Sequence, residues 1–407
     1  MTSPKFNLTP LGNLLADLKA ELKAVSGESR VSVENSVNRI LSKDIFAKYD
    51  NPPFDNSAID GFAINEEARS TSKSFFLLEG LLRPGLRSNI ILERNEGIKI
   101  LTGAPIPSGT TRIIFKENAK EHDQRVHFVQ DDDKETNIRL KGEDFKKGDL
   151  LFQKGNQIKI VDLAVLIGSG NRSISTFKPI KVGLITTGNE LKSKLKRQSK
   201  SLIFDTNSIP LKTLLGNWGH SVVDIGSVED SIELLRKKIF DNLEQVDVFV
   251  TTGGVSTGQE DFVSQLLNKE GQLINWRIAI KPGRPFICAK LGAKYLFGLP
   301  GNPVAAFICA LIILRPSLGR IGGEKTWFEP FSFKVKANFK KHKRPGRTEF
   351  LRANLNKDDG SVSIFPFEGS GRLSSLSWSN GIVELSEQEQ NIEMGDFVNF
   401  IPYESFF

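Results

Sequence analysis

Hydrophobic and polar positions follow different periods along the chain. The stretch TPLGNLLADLKAELKAV places leucines three and four residues apart, which predicts an amphipathic helix with Pro10 in its first turn after Thr9. From about residue 55 to residue 139, short apolar stretches are broken by the turns RPG, IPSGT and DDD, a pattern typical of a small β-rich unit. The chain from residue 327 onward is also turn-rich and strand-like.

Between residues 179 and 319, two kinds of apolar run alternate. IKVGLITT, SVVDIG and VDVFVTT are typical of strands, whereas SIPLKTLLGNWG, DSIELLRKKIFDNL and DFVSQLLNKEG have helical periodicity. This alternation predicts a central parallel, doubly wound α/β domain, accompanied by an inserted β-rich domain and a C-terminal β domain. The predicted domains are an N-terminal helix and strand domain (1–50 and 140–178), the inserted β-rich domain (51–139), the α/β domain (179–326) and the C-terminal β domain (327–407).

Composition narrows the class of protein. The 407 residues exceed a usual single core, and 39% hydrophobic with 25% charged residues is ordinary for a globular chain. The longest apolar run, Val304–Leu314, is shorter than the roughly 20 residues that span a bilayer, and the N-terminus lacks a secretory signal. Cys288 and Cys309 are too few for a disulfide framework. We therefore expect a cytoplasmic protein without a membrane segment.

The formal charge of +7 favours anionic partners. Lys192–Lys200 is interpreted as a solvated basic loop, whereas the arginines of Lys334–Arg347 lie in a strand-like pattern. A nucleic-acid partner would rest on these two clusters alone and is not expected. The four histidines are dispersed, so any metal should be a hard cation on carboxylates rather than zinc.

Three glycine-rich loops are predicted where strands of the α/β domain end and helices begin. They are Thr186–Leu191, Thr251–Asp261 and Gly298–Phe307. Their free backbone N–H groups and helix N-termini suit a phosphate, although tight packing alone would also explain such glycines. None matches the dinucleotide or P-loop fingerprint. The residues expected to bind the ligand here are Thr187, Gly188, Gly253, Gly254, Ser256, Gly258, Pro300, Gly301 and Pro303.

Acidic residues accompany these loops. Glu190 and Asp261 each follow a strand end, and Asp230 lies at a helix N-terminus. Oxygen ligands of this kind suit Mg²⁺ together with substrate phosphate. Helix capping is the alternative for Asp230 and for Asp261.

Ten motifs occur in the order found in the molybdopterin molybdenumtransferase (MoeA) family, which includes the E domain of gephyrin. The chain resembles this family from about residue 9 to residue 403 through PPFDNSAIDGFAI, ILTGAPIPSGT, RLKGEDFKKGDLL, TTGNEL, DTNS, TTGGVSTGQEDF, AIKPGRPF, GLPGNPVA, GRTEFLRA and GSGRLSSLSWSNGIVEL. The resemblance implies an enzyme of molybdenum cofactor biosynthesis. Such an enzyme inserts molybdate into adenylylated molybdopterin with Mg²⁺, releases AMP, and forms an elongated homodimer. Contact with the molybdopterin adenylyltransferase is also implied.

The resemblance assigns roles to residues at matching positions. It implies catalytic roles for Asp60, Thr102, Glu190, Asp230 and Asp261, with Glu190 and Asp261 as the metal ligands. In a dimer, Asp60 and Thr102 would face the α/β domain of the partner. Lys281, Arg284, Arg347 and Ser370 look suited to molybdate, because a dianion requires fixed donors and positive charge. A hairpin turn at Asp60, a strand-end hydroxyl at Thr102 and surface positions for Lys281 and Arg284 are the structural alternatives.

Three positions depart from the family pattern. Asn189 stands where the family often has Asp, Thr257 where it often has Val, and Arg284 where Lys is common. Asn189 removes one possible carboxylate ligand, and Arg284 replaces a point donor by a planar fork. Two other functions remain open: a molybdopterin adenylyltransferase, whose single domain is similar to residues 180–319, and a pterin-binding scaffold without catalysis.

Overall fold

The computed structural model describes residues 8–66, 74–86, 89–128, 135–192, 203–255, 262–367 and 369–407. The first helix begins at Leu11, one residue later than predicted, because Pro10 is its extended N-cap residue. In chain order, the elements up to residue 178 are α1 (Leu11–Glu21), β1 (Glu28–Ser32), β2 (Ile45–Phe46), β3 (Asn56–Ser57), β4 (Gly61–Ile64), β5 (Ser74–Leu82), β6 (Glu96–Ile100), β7 (Arg112–Phe115), β8 (Ala119–His122), β9 (Arg125–Phe128), β10 (Ile138–Arg139), β11 (Leu150–Phe152), α2 (Asp162–Gly168) and β12 (Ser173–Phe177).

The chain segments that precede and follow an inserted sheet pair with each other. Strand β1 pairs with β12 and β2 with β11, both antiparallel, so the chain leaves and re-enters the same N-terminal unit. Six of the intervening strands form a sheet in the order β7-β4-β6-β5-β9-β8, and β3 pairs separately with β10. Ala63, Ile98 and Ile113 of this sheet are fully buried in one apolar cluster. The inserted β-rich domain therefore has its own core.

The central region alternates strands and helices as the periodicity predicted. A six-stranded sheet runs in the order β16-β13-β17-β21-β20-β18. The strands and helices are β13 (Lys181–Thr187), β14 (Leu191–Lys192), β15 (Ile203–Phe204), α3 (Ser208–Asn217), β16 (Ser221–Val228), α4 (Ile232–Asp241), β17 (Val248–Thr252), α5 (Phe262–Glu270), β18 (Gln272–Trp276), β19 (Ile280–Lys281), β20 (Ile287–Leu291), β21 (Lys294–Leu299), α6 (Pro303–Cys309) and α7 (Arg315–Ile321).

This sheet is parallel at its centre and antiparallel at one edge. Strands β16, β13, β17 and β21 run parallel. Strand β20 pairs antiparallel to β21 and β18 antiparallel to β20, and the sequence pattern predicted neither of these two strands. Strand β17 is buried throughout, and its side chains alternate between two cores: Val248 and Val250 pack with α3 and α6, and Phe249 packs with α4 and α5. Helices on both faces confirm the doubly wound α/β class.

One long helical stretch fills the core beside this sheet. It runs from Pro303 to Ile321 through a π-helical turn at Ala310–Leu314, well past the apolar run seen in the sequence. Within the described ranges it is the helix that is apolar and long enough to cross a membrane, with a mean hydropathy of 1.8. However, 89% of it is buried inside the protein, as in the core helix of a globular fold.

The C-terminal region is a second β unit. Its elements are β22 (Phe333–Ala337), β23 (Lys341–Lys343), β24 (Thr348–Leu355), β25 (Ser361–Ile364), α8 (Ser374–Trp378), β26 (Gly381–Leu385), β27 (Gln390–Ile392) and β28 (Phe397–Pro402). Five strands close into a ring in the order β24-β25-β22-β28-β26. The short strand β19 of the α/β region pairs parallel to β24, with Lys281 opposite Glu349. This pairing places the KPGRP loop against the C-terminal ring.

Candidate functional site

The carboxyl ends of β13, β17 and β21 surround a pocket of about 320 Å³, which we call the strand-end pocket. Parallel strands bring their carboxyl ends to one edge of a sheet, so the three predicted loops meet there. Sequence-predicted residues that line it are Thr187, Gly188, Glu190, Asp230, Gly253, Gly254, Gly301 and Pro303.

Glycine is required at residue 253, where two of the loops touch. Gly253 has φ +83°, and a Cβ on it would lie 2.6 Å from the carbonyl oxygen of Thr187. On the opposite side, a Cβ on Gly301 would lie 3.4 Å from the Cα of Gly253. The three strand ends therefore pack backbone against backbone, so part of the glycine pattern is explained by packing.

The GLPGNP loop is held by two asparagines. The side-chain oxygen of Asn302 accepts a hydrogen bond from the backbone N–H of Ala305 at 3.1 Å, and Pro303 occupies the first helical position of α6. Asn207 donates from Nδ2 to the carbonyl of Gly301 at 2.8 Å. Because Pro303 has no N–H and a fixed φ, the start of α6 is rigid at the floor of the pocket.

Among the residues that the structure describes, two carboxylates line the strand-end pocket. Glu190 is exposed, and its carboxylate folds back over Gly188. Asp230 is held by Asn189: the backbone N–H of Asn189 donates to Asp230 Oδ2 at 3.2 Å, and the backbone N–H of Asp230 donates to Asn189 Oδ1 at 3.0 Å. Ser231, not Asp230, is the N-cap residue of α4. Asn189 thus supports the position of Asp230.

These carboxylates have the chemistry of a hard-cation site. Mg²⁺ is commonly bound by one or two carboxylates with substrate phosphate and water, and Glu190 with Asp230 supplies such oxygens. Over the described ranges, no three His, Cys, Asp or Glu side chains form a ready-made metal cluster.

A second cavity, of about 470 Å³, lies where the α/β domain meets the C-terminal ring, and we call it the junction cavity. It is walled by the KPGRP loop, by β24 and by the segment around Ser370. The two cavities adjoin, because Pro285 and Gly301 line both. The sequence-predicted residues that line the junction cavity are Lys281, Arg284, Pro300, Gly301, Arg347 and Ser370.

Three charged residues of the junction cavity were not predicted from the sequence: Lys341, Glu349 and Arg352. Arg352 is 7% exposed and donates from its guanidinium to the carbonyl of Gly369 at 2.8 Å, which holds the loop that carries Ser370. The available signal for Glu349 was its place in the sequence, two positions after the predicted residue Arg347 and within β24.

Asp60 and Thr102 line neither cavity and lie together in the inserted domain. Asp60 Oδ1 accepts hydrogen bonds from both the backbone N–H and the hydroxyl of Thr102, each at 2.7 Å. These bonds, with a smaller contribution from the charge of Lys116, hold the pKa of Asp60 below its ordinary value. Asp60 immediately precedes β4 rather than forming a two-residue hairpin turn. The pair is an ionised carboxylate on the surface of the inserted domain.

Some predicted positions lie outside the described residues. These are Ser256, Gly258 and Asp261, together with Thr257 and most of the Lys192–Lys200 cluster.

Comparisons with known proteins cover nearly the whole chain. Residues 9–170 match the family described as the MoeA N-terminal region (domain I and II), residues 183–320 a probable molybdopterin-binding domain, and residues 334–403 the MoeA C-terminal region (domain IV). The chain is 32% identical to a molybdopterin molybdenumtransferase of Haemophilus influenzae over 92% of this chain and 93% of that protein. It is 29% identical to one from Staphylococcus aureus, with coverages of 92% and 91%.

Solved structures show the same similarity. The molybdopterin biosynthesis MoeA protein from Pyrococcus horikoshii OT3 superposes with a TM-score of 0.84 at 26% identity. The match covers 98% of this chain and 100% of that one.

Proposed function

We propose a division of roles between the two cavities of this chain, which belongs to the MoeA family of molybdopterin molybdenumtransferases and acts in molybdenum cofactor biosynthesis. The chain is a transferase that handles molybdopterin and molybdate. The strand-end pocket binds the phosphates of adenylylated molybdopterin. The junction cavity binds molybdate, and transfer of molybdenum to the pterin releases AMP.

The strand-end pocket is suited to the pterin nucleotide. The backbone N–H groups of Gly188 and Gly253 already donate to the carbonyls of Val228 and Leu299, so the positive dipole offered to a phosphate comes from the start of α6. Glu190 and Asp230 would hold Mg²⁺, and the family resemblance implies Asp261 as a further ligand of this ion. When bound, this ion would offset the negative charge of the adenylate phosphate. The residues of the chain orient the phosphate, and Asn189 keeps Asp230 in place.

The junction cavity is suited to a tetrahedral dianion. Five cationic side chains line it: Lys281, Arg284, Lys341, Arg347 and Arg352. The guanidinium of Arg352 already donates hydrogen bonds to the Gly369 carbonyl and the Ser375 hydroxyl. The other cations and the Ser370 hydroxyl are therefore the donors for molybdate. Charge-assisted donors at fixed positions bind such an anion strongly.

The inserted domain completes the site in a homodimer. Asp60 and Thr102 are far along the chain from either cavity lining, and an ionised surface carboxylate on the inserted domain is suited to act on the α/β domain of a second copy. We further propose a cytoplasmic protein that receives its adenylate from a molybdopterin adenylyltransferase, with no nucleic-acid or membrane partner.

The observation that carries this proposal is the shared wall of the two cavities. Gly301 and Pro285 separate a glycine-lined pocket with two carboxylates from a cavity rich in cations. A nucleotide and an oxoanion bound on the two sides would lie next to each other, as a transfer between them requires.

The test is turnover of adenylylated molybdopterin by the purified protein with Mg²⁺ and molybdate, followed as AMP release. Glu190→Ala and Asp261→Ala should each lower the rate by at least ~100-fold, in the range of lost transition-state charge stabilisation. Asp241→Ala, at the end of α4 remote from the strand ends, is the matched control and should keep the rate. Unchanged AMP release in both variants would refute the assigned roles.

Two other results would identify the rival functions. ATP consumption with unmodified molybdopterin would indicate an adenylyltransferase. Tight binding of adenylylated molybdopterin without any AMP release, at any molybdate concentration, would indicate a scaffold.

A further inference from the structure

Glu349 is a carboxylate in a cavity otherwise lined by cations. Among the residues that the structure describes, it is the sole acidic residue of the junction cavity lining. Only 6% of the residue is exposed. A buried carboxylate beside a proposed oxoanion site opposes binding of that anion, so its presence there requires an explanation.

Its contacts are made with lysines of the same cavity. Glu349 Oε1 lies 3.2 Å from the ammonium of Lys281, and Oε2 lies 4.0 Å from the ammonium of Lys341. Oε2 is buried and accepts no hydrogen bond from any described residue. The first contact is set by the backbone, because Lys281 and Glu349 are directly opposite in the β19–β24 pairing.

The carboxylate has two effects on an oxoanion in this cavity. It repels the anion through its own charge, and it restrains the ammonium of Lys281, which would otherwise move toward the anion. Both effects weaken ground-state binding. An enzyme gains rate only from interactions stronger in the transition state than in the bound substrate, so weaker substrate binding can raise turnover.

We propose that Glu349 is a positioning residue that fixes Lys281 and prevents the junction cavity from retaining its molybdate too tightly. This inference rests on the proposed function, since it takes molybdate as the occupant. The carboxylate keeps the oxoanion weakly held and able to pass to the pterin across the wall formed by Gly301.

The decisive variant is Glu349→Gln, which keeps the shape and removes the charge. Isothermal titration with molybdate alone should show tighter binding by at least ~10-fold, the factor expected for removing one nearby repulsive charge. The kcat for AMP release should fall by at least ~10-fold in the same variant. Glu349→Asp keeps the charge and should leave molybdate affinity close to that of the unmodified protein.

The matched control is Glu393→Gln. Glu393 pairs with Lys340 on the surface of the same C-terminal unit, and its side chain is 63% exposed. This variant should change neither molybdate affinity nor kcat. Equal or weaker molybdate binding by Glu349→Gln, with a proportionate loss of kcat, would assign Glu349 a merely structural role and overturn the inference.

A second comparison applies if Glu349→Gln does not fold. Lys281→Met leaves Glu349 unneutralised beside the anion, whereas Arg284→Met removes the same charge from a residue without that contact. Molybdate affinity should fall at least ~10-fold further in Lys281→Met, and equal losses would overturn the inference. Failure of the unmodified protein to bind molybdate would instead refute the proposed function.

Discussion

Gly253 lies where β17 ends, and a methyl group added there should disturb the whole strand-end pocket. Its φ of +83° costs an L-residue about 1–2 kcal/mol. The new Cβ would also lie 2.6 Å from the carbonyl oxygen and 2.7 Å from the hydroxyl of Thr187. Ordinary contacts begin at 3.4 Å, so the carbonyl contact is 3.4 − 2.6 = 0.8 Å too short. That oxygen belongs to the buried backbone and cannot rotate away.

Relief of this clash requires the loops to separate. Overpacking of this kind costs about 1–3 kcal/mol, so Gly253→Ala should lower the free energy of unfolding by about 2–5 kcal/mol in total. Displacement of the Thr187 backbone should also lower the rate of AMP release by at least ~10-fold, because small misplacements in a binding site are costly.

The assay is urea unfolding with AMP release measured on the same preparation, and Gly360→Ala is the matched control. Gly360 has φ +69° but open space around its Cα, so its substitution should cost only about 1–2 kcal/mol and leave the rate unchanged. If Gly253→Ala were as mild as Gly360→Ala in both measurements, the argument that the three strand ends pack backbone against backbone would be refuted.

Three further predictions concern titration and buried charge. Thr102→Val should raise the lowered pKa of Asp60 toward its ordinary 3.8 in a carboxyl NMR titration. The stability gained from the Asp60 hydrogen bonds is present above pH 3.8 and is lost as the pH falls through the lower pKa of the folded state. An unchanged pKa of Asp60 in the variant would contradict this prediction. Burial, with a smaller effect of the Arg315 charge, lowers the pKa of His220 from 6.5 to about 4. The free energy of unfolding should therefore fall by about 3 kcal/mol as the pH drops from 6.5 to 4. His220→Phe should flatten this pH dependence in urea unfolding. A dependence equally steep in His220→Phe would contradict it. Glu324→Ala leaves the buried guanidinium of Arg315 without the carboxylate 3.1 Å away and should lower the free energy of unfolding by about 3–5 kcal/mol, whereas a loss below about 1 kcal/mol would show that the pair is solvated.

Local features of the site were predictable from the sequence. The start of α6 follows from Asn302 and Pro303 alone, because a side-chain cap and a proline at the first helical position act within one turn. The strands of the α/β domain were equally visible, since β13 and β17 are continuous apolar runs buried on both faces. From strand order it followed that their glycine loops would meet at one edge of the sheet.

Features that depend on distant segments were not predictable in this way. The N-terminus of α1 is capped by Glu387, whose Oε1 accepts from the N–H of Leu11 across 376 residues of sequence, so the local motif around Thr9 gave no indication of the true cap. The antiparallel strands β18 and β20 and the Lys281–Glu349 pairing likewise depend on tertiary contacts. The charge of the junction cavity was therefore only half visible: Lys281, Arg284 and Arg347 were predicted, whereas Lys341, Arg352 and Glu349 were missed.

The most direct test of the two-cavity account is anomalous X-ray diffraction at the molybdenum edge from crystals of the protein with molybdate, Mg²⁺ and AMP. We predict a molybdenum peak in the junction cavity, with molybdate oxygens within hydrogen-bonding distance of the Lys281 ammonium or the Arg347 guanidinium. The AMP phosphate should lie in the strand-end pocket beside Gly253. A molybdenum peak in the strand-end pocket, or AMP in the junction cavity, would contradict it.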